Sequence, residues 1–153
     1  MTKIDERAVV PPVDDAARTR LAAALDVPRV LSALLYGSQA TGKAGPLSDV
    51  DVAVWLDAEL TQSERYQLQL RLMVLASEAL GTDEVQIVIL NEATPLLRHR
   101  AMRDGVRLLD TDPRARIRLE TRALLEYLDT APLRATLAAG LKRRIDGGRF
   151  GRP

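Results

Sequence analysis

Residues 37–51 read GSQATGKAGPLSDVD, and this stretch decides how the rest of the chain is interpreted. It follows a short apolar run, Val30–Tyr36, whose length and flanks predict a buried strand. From Asp49 to Leu56 the aliphatic residues at positions 50, 52, 54 and 56 alternate with a second set at positions 49, 51, 53 and 55, which predicts a second strand. A glycine turn and an acidic Asp-x-Asp pair therefore lie at the two ends of one loop.

Several residues of this loop suit an anionic ligand. Gly37 can turn sharply after the strand because it has no Cβ to clash. Ser38 places a small hydroxyl beside backbone N–H groups at the start of a short helical turn, where phosphate oxygens bind readily. Gly42 keeps the loop open to a ligand, and Ser48 can brace its exit by a local hydrogen bond. The first half of the loop is therefore a candidate phosphate site.

Asp49 and Asp51 are two residues apart on the predicted strand, so both side chains leave the same face. Their carboxylates can converge on one hard cation such as Mg²⁺, which prefers oxygen ligands. Without a cation or a proton, two carboxylates in a partly dry site repel each other. The alternative is that both aspartates lie on the wet face of an edge strand, and the pair alone does not decide between these interpretations.

The flanking sequence predicts alternating helices and strands. Thr61 and Glu64 form a capping box, and Gly81 is placed to end the helix that follows. The patterns predict helices at residues 14–25, 61–80, 95–104, 113–127 and 132–145, and strands at 30–36, 49–56, 85–90 and 106–109. This order indicates an α/β or α+β fold in which a small sheet is backed by helices.

Length and composition set the class of protein. The 153 residues fit one domain, with an N-terminal helix at 14–25, a catalytic core at about 28–110, C-terminal helices at about 113–146 and a basic tail at 147–153. The absence of cysteine excludes a disulfide framework, a cysteine nucleophile and a thiolate zinc site. The chain shows no signal-peptide pattern and no apolar run of about 18 residues. We therefore expect a cytoplasmic protein without membrane insertion.

Charge is nearly balanced overall but uneven along the chain. The net charge of +1 gives no global field favouring nucleic acid, so direct nucleic-acid binding is not expected. Six basic residues stand against one acidic residue between residues 134 and 153. This segment is either a solvated tail or a docking surface for an acidic partner or RNA.

The spacing Gly-Ser, ten residues, Asp-x-Asp resembles the signature of the polymerase-β-like nucleotidyltransferase superfamily, with residues 39–48 as the ten. The resemblance implies that fold, with a small mixed sheet and helices on one side. It also implies Mg²⁺ held by Asp49 and Asp51, and ATP as substrate. The implied nucleotide-binding residues lie in the loop: Gly37, Ser38, Gly42, Lys43 and Ser48. Lys43 is the nearest cation that could meet the triphosphate, because Gln39 and Thr41 stand where many relatives carry arginine.

Residues 85–112, VQIVILNEATPLLRHRAMRDGVRLLDTD, resemble the middle of the minimal nucleotidyltransferase (MNT) family. Residues 116–132, RIRLETRALLEYLDTAP, are similar to its C-terminal helix with a Tyr-x-Asp ending, here Tyr127 and Asp129. The resemblance covers about residues 28–135. It implies an antitoxin that forms a hetero-oligomer with a HEPN-domain ribonuclease toxin. The implied activity is transfer of AMP from ATP to a tyrosine of that toxin, releasing pyrophosphate.

The sequence departs from this family at the third carboxylate of the metal site. The matching position is Gln86, which offers a neutral oxygen and cannot accept a proton as a carboxylate can. The Glu84 side chain is expected on the same face of the strand as Gln86, but Glu84 lies two residues, about 6.6 Å, upstream. The Asp83 side chain is expected on the opposite face. Two hypotheses stay open. Either catalysis proceeds with Glu84 or a substrate phosphate filling the gap, or a weak or inactive enzyme neutralises its toxin by binding alone.

Other residues and functions carry weaker signals. His99 is the only histidine, which predicts a structural or surface role rather than a metal site. Arg98 and Arg100 can meet phosphate or simply form a charged helix face, and Trp55 can wall a nucleotide pocket or pack beneath a helix. The rival functions are a small-molecule nucleotidyltransferase of the aminoglycoside type, for which the chain leaves little room for a drug-binding domain, and a general RNA-binding protein.

Overall fold

The protein is described here by a computed structural model that covers residues 9–148 and contains four strands and six helices in that range. The elements in chain order are α1 (Asp15–Leu25), β1 (Val30–Tyr36), α2 (Ser38–Thr41), β2 (Val50–Leu56), α3 (Gln62–Leu80), β3 (Val85–Ile89), α4 (Pro95–Asp104), β4 (Val106–Asp110), α5 (Pro113–Asp129) and α6 (Ala131–Asp146). All predicted helices and strands are present, with ends that differ by up to two residues. The loop also forms the short helix α2.

The four strands form one mixed sheet in the order β3-β2-β1-β4. β1 runs antiparallel to both β2 and β4, whereas β2 and β3 are parallel and are joined through α3. β2 is therefore an inner strand, with β1 on one side and β3 on the other. This arrangement corrects the alternative in which Asp49 and Asp51 belong to an edge strand.

Helices cover both faces of the sheet, not one face as the resemblance implied. One apolar cluster joins α1 and α3 to the face of β2 that carries Val50, Val52, Val54 and Leu56. A second cluster joins Ala53 and Trp55 of the opposite face to α4 and α5. Both faces of β2 are buried because apolar side chains occupy both sets of alternating positions beyond Asp51. The acidic start of the strand is the exception.

Local caps set several helix ends as the sequence predicts. Asp14 accepts a hydrogen bond from the backbone N–H of Ala17 at the start of α1. The capping box at α3 is complete, since Thr61 and Glu64 each bond the other's backbone N–H, and Gly81 ends the helix at φ 67°. Within residues 9–148, no helix is long and apolar enough to cross a membrane. Most of the predicted basic tail, residues 149–153, lies outside the described range.

Candidate functional site

The turn between β1 and α2 is built around Gly37. Its backbone has φ 70° and ψ −153°, a conformation that only glycine adopts readily. A Cβ placed on Gly37 would lie 2.6 Å from Oδ2 of Asp51. The missing side chain therefore leaves the space in which the Asp51 carboxylate lies against the turn.

Strand pairing brings three of the candidate site residues together. Asp51 lies opposite Tyr36 of β1 and opposite Gln86 of β3 in the two registers. Asp49 immediately precedes β2, and the Gln86 amide Nε2 donates to Asp49 Oδ2 at 3.3 Å. Asp49, Asp51 and Gln86 thus form one polar group at the start of β2, next to Gly37. We call it the acidic centre.

The electrostatics of the acidic centre suit a cation. Burial, and then the neighbouring charge of Asp49, raise the pKa of Asp51 above its usual value. Burial and the charge of Asp51 likewise raise the pKa of the Tyr36 hydroxyl. Negative charge at Asp51 is therefore costly in the protein alone, and a divalent cation with oxygen ligands would relieve that cost. The donor set of two carboxylates and one amide fits Mg²⁺.

Glu84 does not complete a three-carboxylate site. It immediately precedes β3, and its backbone carbonyl accepts from the N–H of Val50 at 2.9 Å. The β2–β3 register pairs Asp51 with Gln86 without a bulge that would move Glu84 forward. Among residues 9–148, no three histidine or carboxylate side chains lie close enough to hold a metal ion together. Within the described range, no third carboxylate therefore joins Asp49 and Asp51.

The rest of the loop is fixed by short-range hydrogen bonds. Ser48 braces the exit as expected, because its Oγ accepts from the N–H of Gly45 at 2.9 Å. Gly42 ends α2 in the left-handed conformation at φ 74°, and the N–H of Lys43 then bonds the Ser38 carbonyl at 3.1 Å. The Lys43 side chain is exposed in this loop. Gly37, Ser38, Gly42, Lys43 and Ser48 thus lie in one loop, whose first residue contacts Asp51 and whose last precedes Asp49.

An N-terminal contact of this loop escaped the sequence analysis. Gln39 is buried, and its Oε1 accepts from the N–H of Val13 at 3.3 Å. The N–H of Val10 bonds the Pro46 carbonyl at 2.8 Å, and Val10 and Val13 are both buried. The segment before α1 therefore packs against both ends of the loop. The apolar run VVPPV at residues 9–13 was the available signal.

Trp55, Arg98 and His99 make packing and stacking contacts between elements. Trp55 is 2% exposed and packs in the second apolar cluster, and it also lines a cleft of about 340 Å³ with Arg98 and Glu126. The Arg98 guanidinium lies over its ring at 5.9 Å and donates to the carbonyls of Leu90 and Asn91, each at 2.6 Å. His99 stacks on Tyr127 with the ring centroids 3.8 Å apart. These side chains hold β2, α4 and α5 together.

A large open cleft of the described region lies away from the acidic centre. It measures about 860 Å³ and is lined by the end of α3 and residues 81–85. Glu84 contributes to it, but Asp49, Asp51 and Gln86 do not. Glu78, Asp83 and Glu84 line this open cleft, but none of these carboxylates lies against a glycine turn as Asp51 does, so the acidic centre is the better candidate for chemistry.

Comparison with solved structures supports the fold. A chain in a structure described as a tri-AMPylated Shewanella oneidensis HEPN toxin in complex with MNT antitoxin has a TM-score of 0.60 and 19% identity, covering 82% of this chain and 96% of that one. A chain in a structure described as a toxin–antitoxin with AMP-PNP has a TM-score of 0.53 and 23% identity, covering 85% and 96%. At such identities the likeness establishes the shared fold.

Sequence comparison identifies the family. Among curated protein sequences, none matches this chain significantly. The family model described as polymerase beta, nucleotidyltransferase matches residues 22–114, which include the acidic centre and the whole sheet. The match spans more than half of the chain, so the chain belongs to the polymerase beta nucleotidyltransferase family.

Proposed function

We propose that this protein is the antitoxin of a HEPN/MNT pair and transfers AMP from ATP to a tyrosine of its HEPN ribonuclease toxin. The observation that carries the proposal is the contact between the Gly37 turn and the Asp51 carboxylate, with Asp49 beside it. The candidate phosphate site at the Gly37 turn thereby adjoins the candidate divalent-cation site at Asp49 and Asp51. The fold shared with toxin–antitoxin structures, one with AMP-PNP and one with an AMPylated toxin, supports this nucleotide and this partner.

The reaction assigns distinct tasks to the residues of the site. The tyrosine oxygen forms a bond to the α-phosphorus while the bond to the β-phosphate bridging oxygen breaks, and pyrophosphate leaves with that electron pair. Asp49 and Asp51 would hold Mg²⁺, which neutralises charge on the phosphates when bound. Gly37 leaves room for the Asp51 carboxylate, and the start of α2 presents backbone N–H groups to the triphosphate. Gln86 can orient Asp49 through its amide but cannot take the tyrosine proton, so that proton would pass to bulk water as the new bond forms.

A labelling assay tests the proposal. The purified chain is mixed with a purified HEPN-domain candidate partner, with ATP labelled at the α-phosphate and with Mg²⁺. Label should enter the HEPN protein, and Asp49→Ala and Asp51→Ala should each abolish the transfer while circular dichroism shows an unchanged fold. A stable complex that acquires no label would refute the transfer reaction.

The second candidate is an antitoxin that acts by binding alone, and the position of Gln86 favours it. The neutral amide lies where a third carboxylate would face Asp51, and it is engaged with Asp49. Gln86→Glu separates the two candidates. An active wild-type enzyme should gain on the order of tenfold or more in rate, because a proton acceptor is restored. Toxin neutralisation without label, unchanged by Asp49→Ala, would establish the binding-only function.

A further inference from the structure

The last helix carries an apolar stripe that packs against nothing in the described part of the protein. Leu133, Leu137, Leu141 and Ile145 recur every four residues along α6 and are 47–63% exposed. Residues four apart lie on one side of a helix. No residue of α6 is buried. We call these four side chains the α6 stripe.

The α6 stripe belongs to a helix whose start is fixed. Arg134 donates to the Tyr127 carbonyl at 2.8 Å and to the hydroxyl of Thr130, and its guanidinium lies 3.7 Å from the centre of the Tyr127 ring. Since His99 stacks on the same ring at 3.8 Å, the ring is held between the two side chains. This contact joins α4, α5 and the first turn of α6. The stripe is therefore presented from an anchored helix.

The last two helices expose a large apolar area. α5 adds further exposed apolar side chains, so the two helices together present eight that are 44–63% exposed: Ile117, Leu124, Leu125, Leu128, Leu133, Leu137, Leu141 and Ile145. At half exposure the four side chains of the α6 stripe amount to roughly 350 Å², within the ~300–600 Å² of the largest and often functional patch on a typical monomer, and all eight together amount to roughly 700 Å². That area approaches the ~800 Å² that each partner contributes to a standard protein interface.

Charge indicates which kind of partner fits. α6 carries Arg134, Lys142, Arg143 and Arg144 against the single acid Asp146, a net charge of +3. Two copies of such a helix would repel each other, whereas a partner with acidic side chains around an apolar groove would be attracted. RNA would account for the arginines but would leave the leucines exposed. The combination fits a protein groove that receives an amphipathic helix.

We propose that α6 is the docking element of this protein and inserts its apolar stripe into an acid-rimmed apolar groove of the partner protein. The identification of that partner as the HEPN toxin rests on the proposed function. The stripe lies on α6, apart from the acidic centre on β2. Docking through α6 would hold the partner while the acidic centre stays open to ATP.

Paired variants of the full chain test the docking. Leu137→Glu combined with Leu141→Glu should weaken binding to the purified HEPN protein at least 100-fold in isothermal titration calorimetry. The matched control is Leu70→Glu, which charges a leucine on α3 that is 45% exposed, close to the 47% of Leu141, and should leave binding unchanged. Arg143→Gln with Arg144→Gln should weaken binding roughly three- to tenfold, mainly by slowing association. All variants replace exposed side chains, and circular dichroism should show an unchanged fold.

The outcomes separate docking from chemistry. If the wild-type chain binds tightly and Leu137→Glu/Leu141→Glu abolishes the binding, the docking element is supported. If no AMP is transferred in that case, only the transfer reaction is refuted. Binding that this variant leaves intact refutes the docking element alone. A wild-type chain that does not bind the HEPN protein overturns both. If light scattering finds a dimer that Leu137→Glu/Leu141→Glu breaks, α6 binds a second copy of this chain and the inference is overturned. If the chain binds RNA and only the arginine variant loses that binding, α6 binds RNA and the inference is also overturned.

Discussion

At the scale of single residues, Gly37 is the most constrained position of the acidic centre. We expect Gly37→Ala to destabilise the fold by about 1–3 kcal/mol, the cost of a side chain in this backbone region. The new Cβ would also displace the Asp51 carboxylate, which should lower AMP transfer by roughly 100-fold. Denaturant unfolding and the labelling assay measure the two effects.

Gly81 supplies the control for this substitution. It also has a positive φ, of 67°, but a Cβ there would meet nothing within 4 Å. Gly81→Ala should therefore cost about 1–2 kcal/mol of stability from its left-handed conformation and leave transfer unchanged. Equal losses of activity in the two variants would show that the contact with Asp51 is unimportant.

Asp51 makes stability depend on pH and on the cation. Because its pKa is raised in the folded protein, the folded state binds a proton more tightly than the unfolded chain, and stability falls as pH rises through the range above the usual value of 3.8. Asp51→Asn should therefore be more stable than wild type at pH 7 in EDTA, by at most about 1 kcal/mol or 2–4 °C in Tm. The difference should vanish below pH 4.

Thermal melts of both proteins across this pH range, with EDTA or Mg²⁺, provide the measurement. Mg²⁺ should stabilise wild type more than Asp51→Asn, because the variant lacks one anionic ligand. A wild-type protein that is the more stable of the two in EDTA at pH 7 would contradict repulsion at the acidic centre.

At the scale of elements, Arg98 of α4 ties together the end of β3, the following turn and α5. Its guanidinium bonds two backbone carbonyls and forms an ion pair with Glu126 at 2.7 Å. The Arg98 side chain is only 14% exposed. Arg98→Gln should therefore destabilise the protein by about 2–4 kcal/mol, because buried acceptors lose their donor.

The neighbouring exposed arginine is the control. Arg100→Gln should change stability by no more than about 0.5 kcal/mol, as is usual for exposed positions. Urea unfolding of both variants gives the comparison. A similar small effect for Arg98→Gln would mean that the bonds of α4 to Leu90 and Asn91 contribute little.

At the scale of the whole molecule, stability should be distributed unevenly. The inner strands β1 and β2 are buried on both faces, whereas α6 buries no side chain. In amide hydrogen exchange of the free protein, the protection factors of α6 should therefore be at least roughly 100-fold lower than those of β1. Equal protection in α6 and β1 would contradict an unpartnered α6.

Features controlled by short-range chemistry could be predicted from the order of residues alone. Alternation and helical spacing predicted the elements, the Thr61–Glu64 box and Gly81 predicted the ends of α3, and the Gly-Ser to Asp-x-Asp spacing predicted the family. These signals could be read because they depend on residues a few positions apart or on one fixed spacing. The roles of the site residues stay predictions.

Contacts between distant segments became known from the three-dimensional fold. It placed Asp51 on an inner strand between Tyr36 and Gln86, put helices on both faces of the sheet, and turned Gln39 toward Val13. It also left the α6 stripe exposed. Strand order and helix placement follow from the burial of apolar surface across the whole chain, and that burial is not specified by any local pattern.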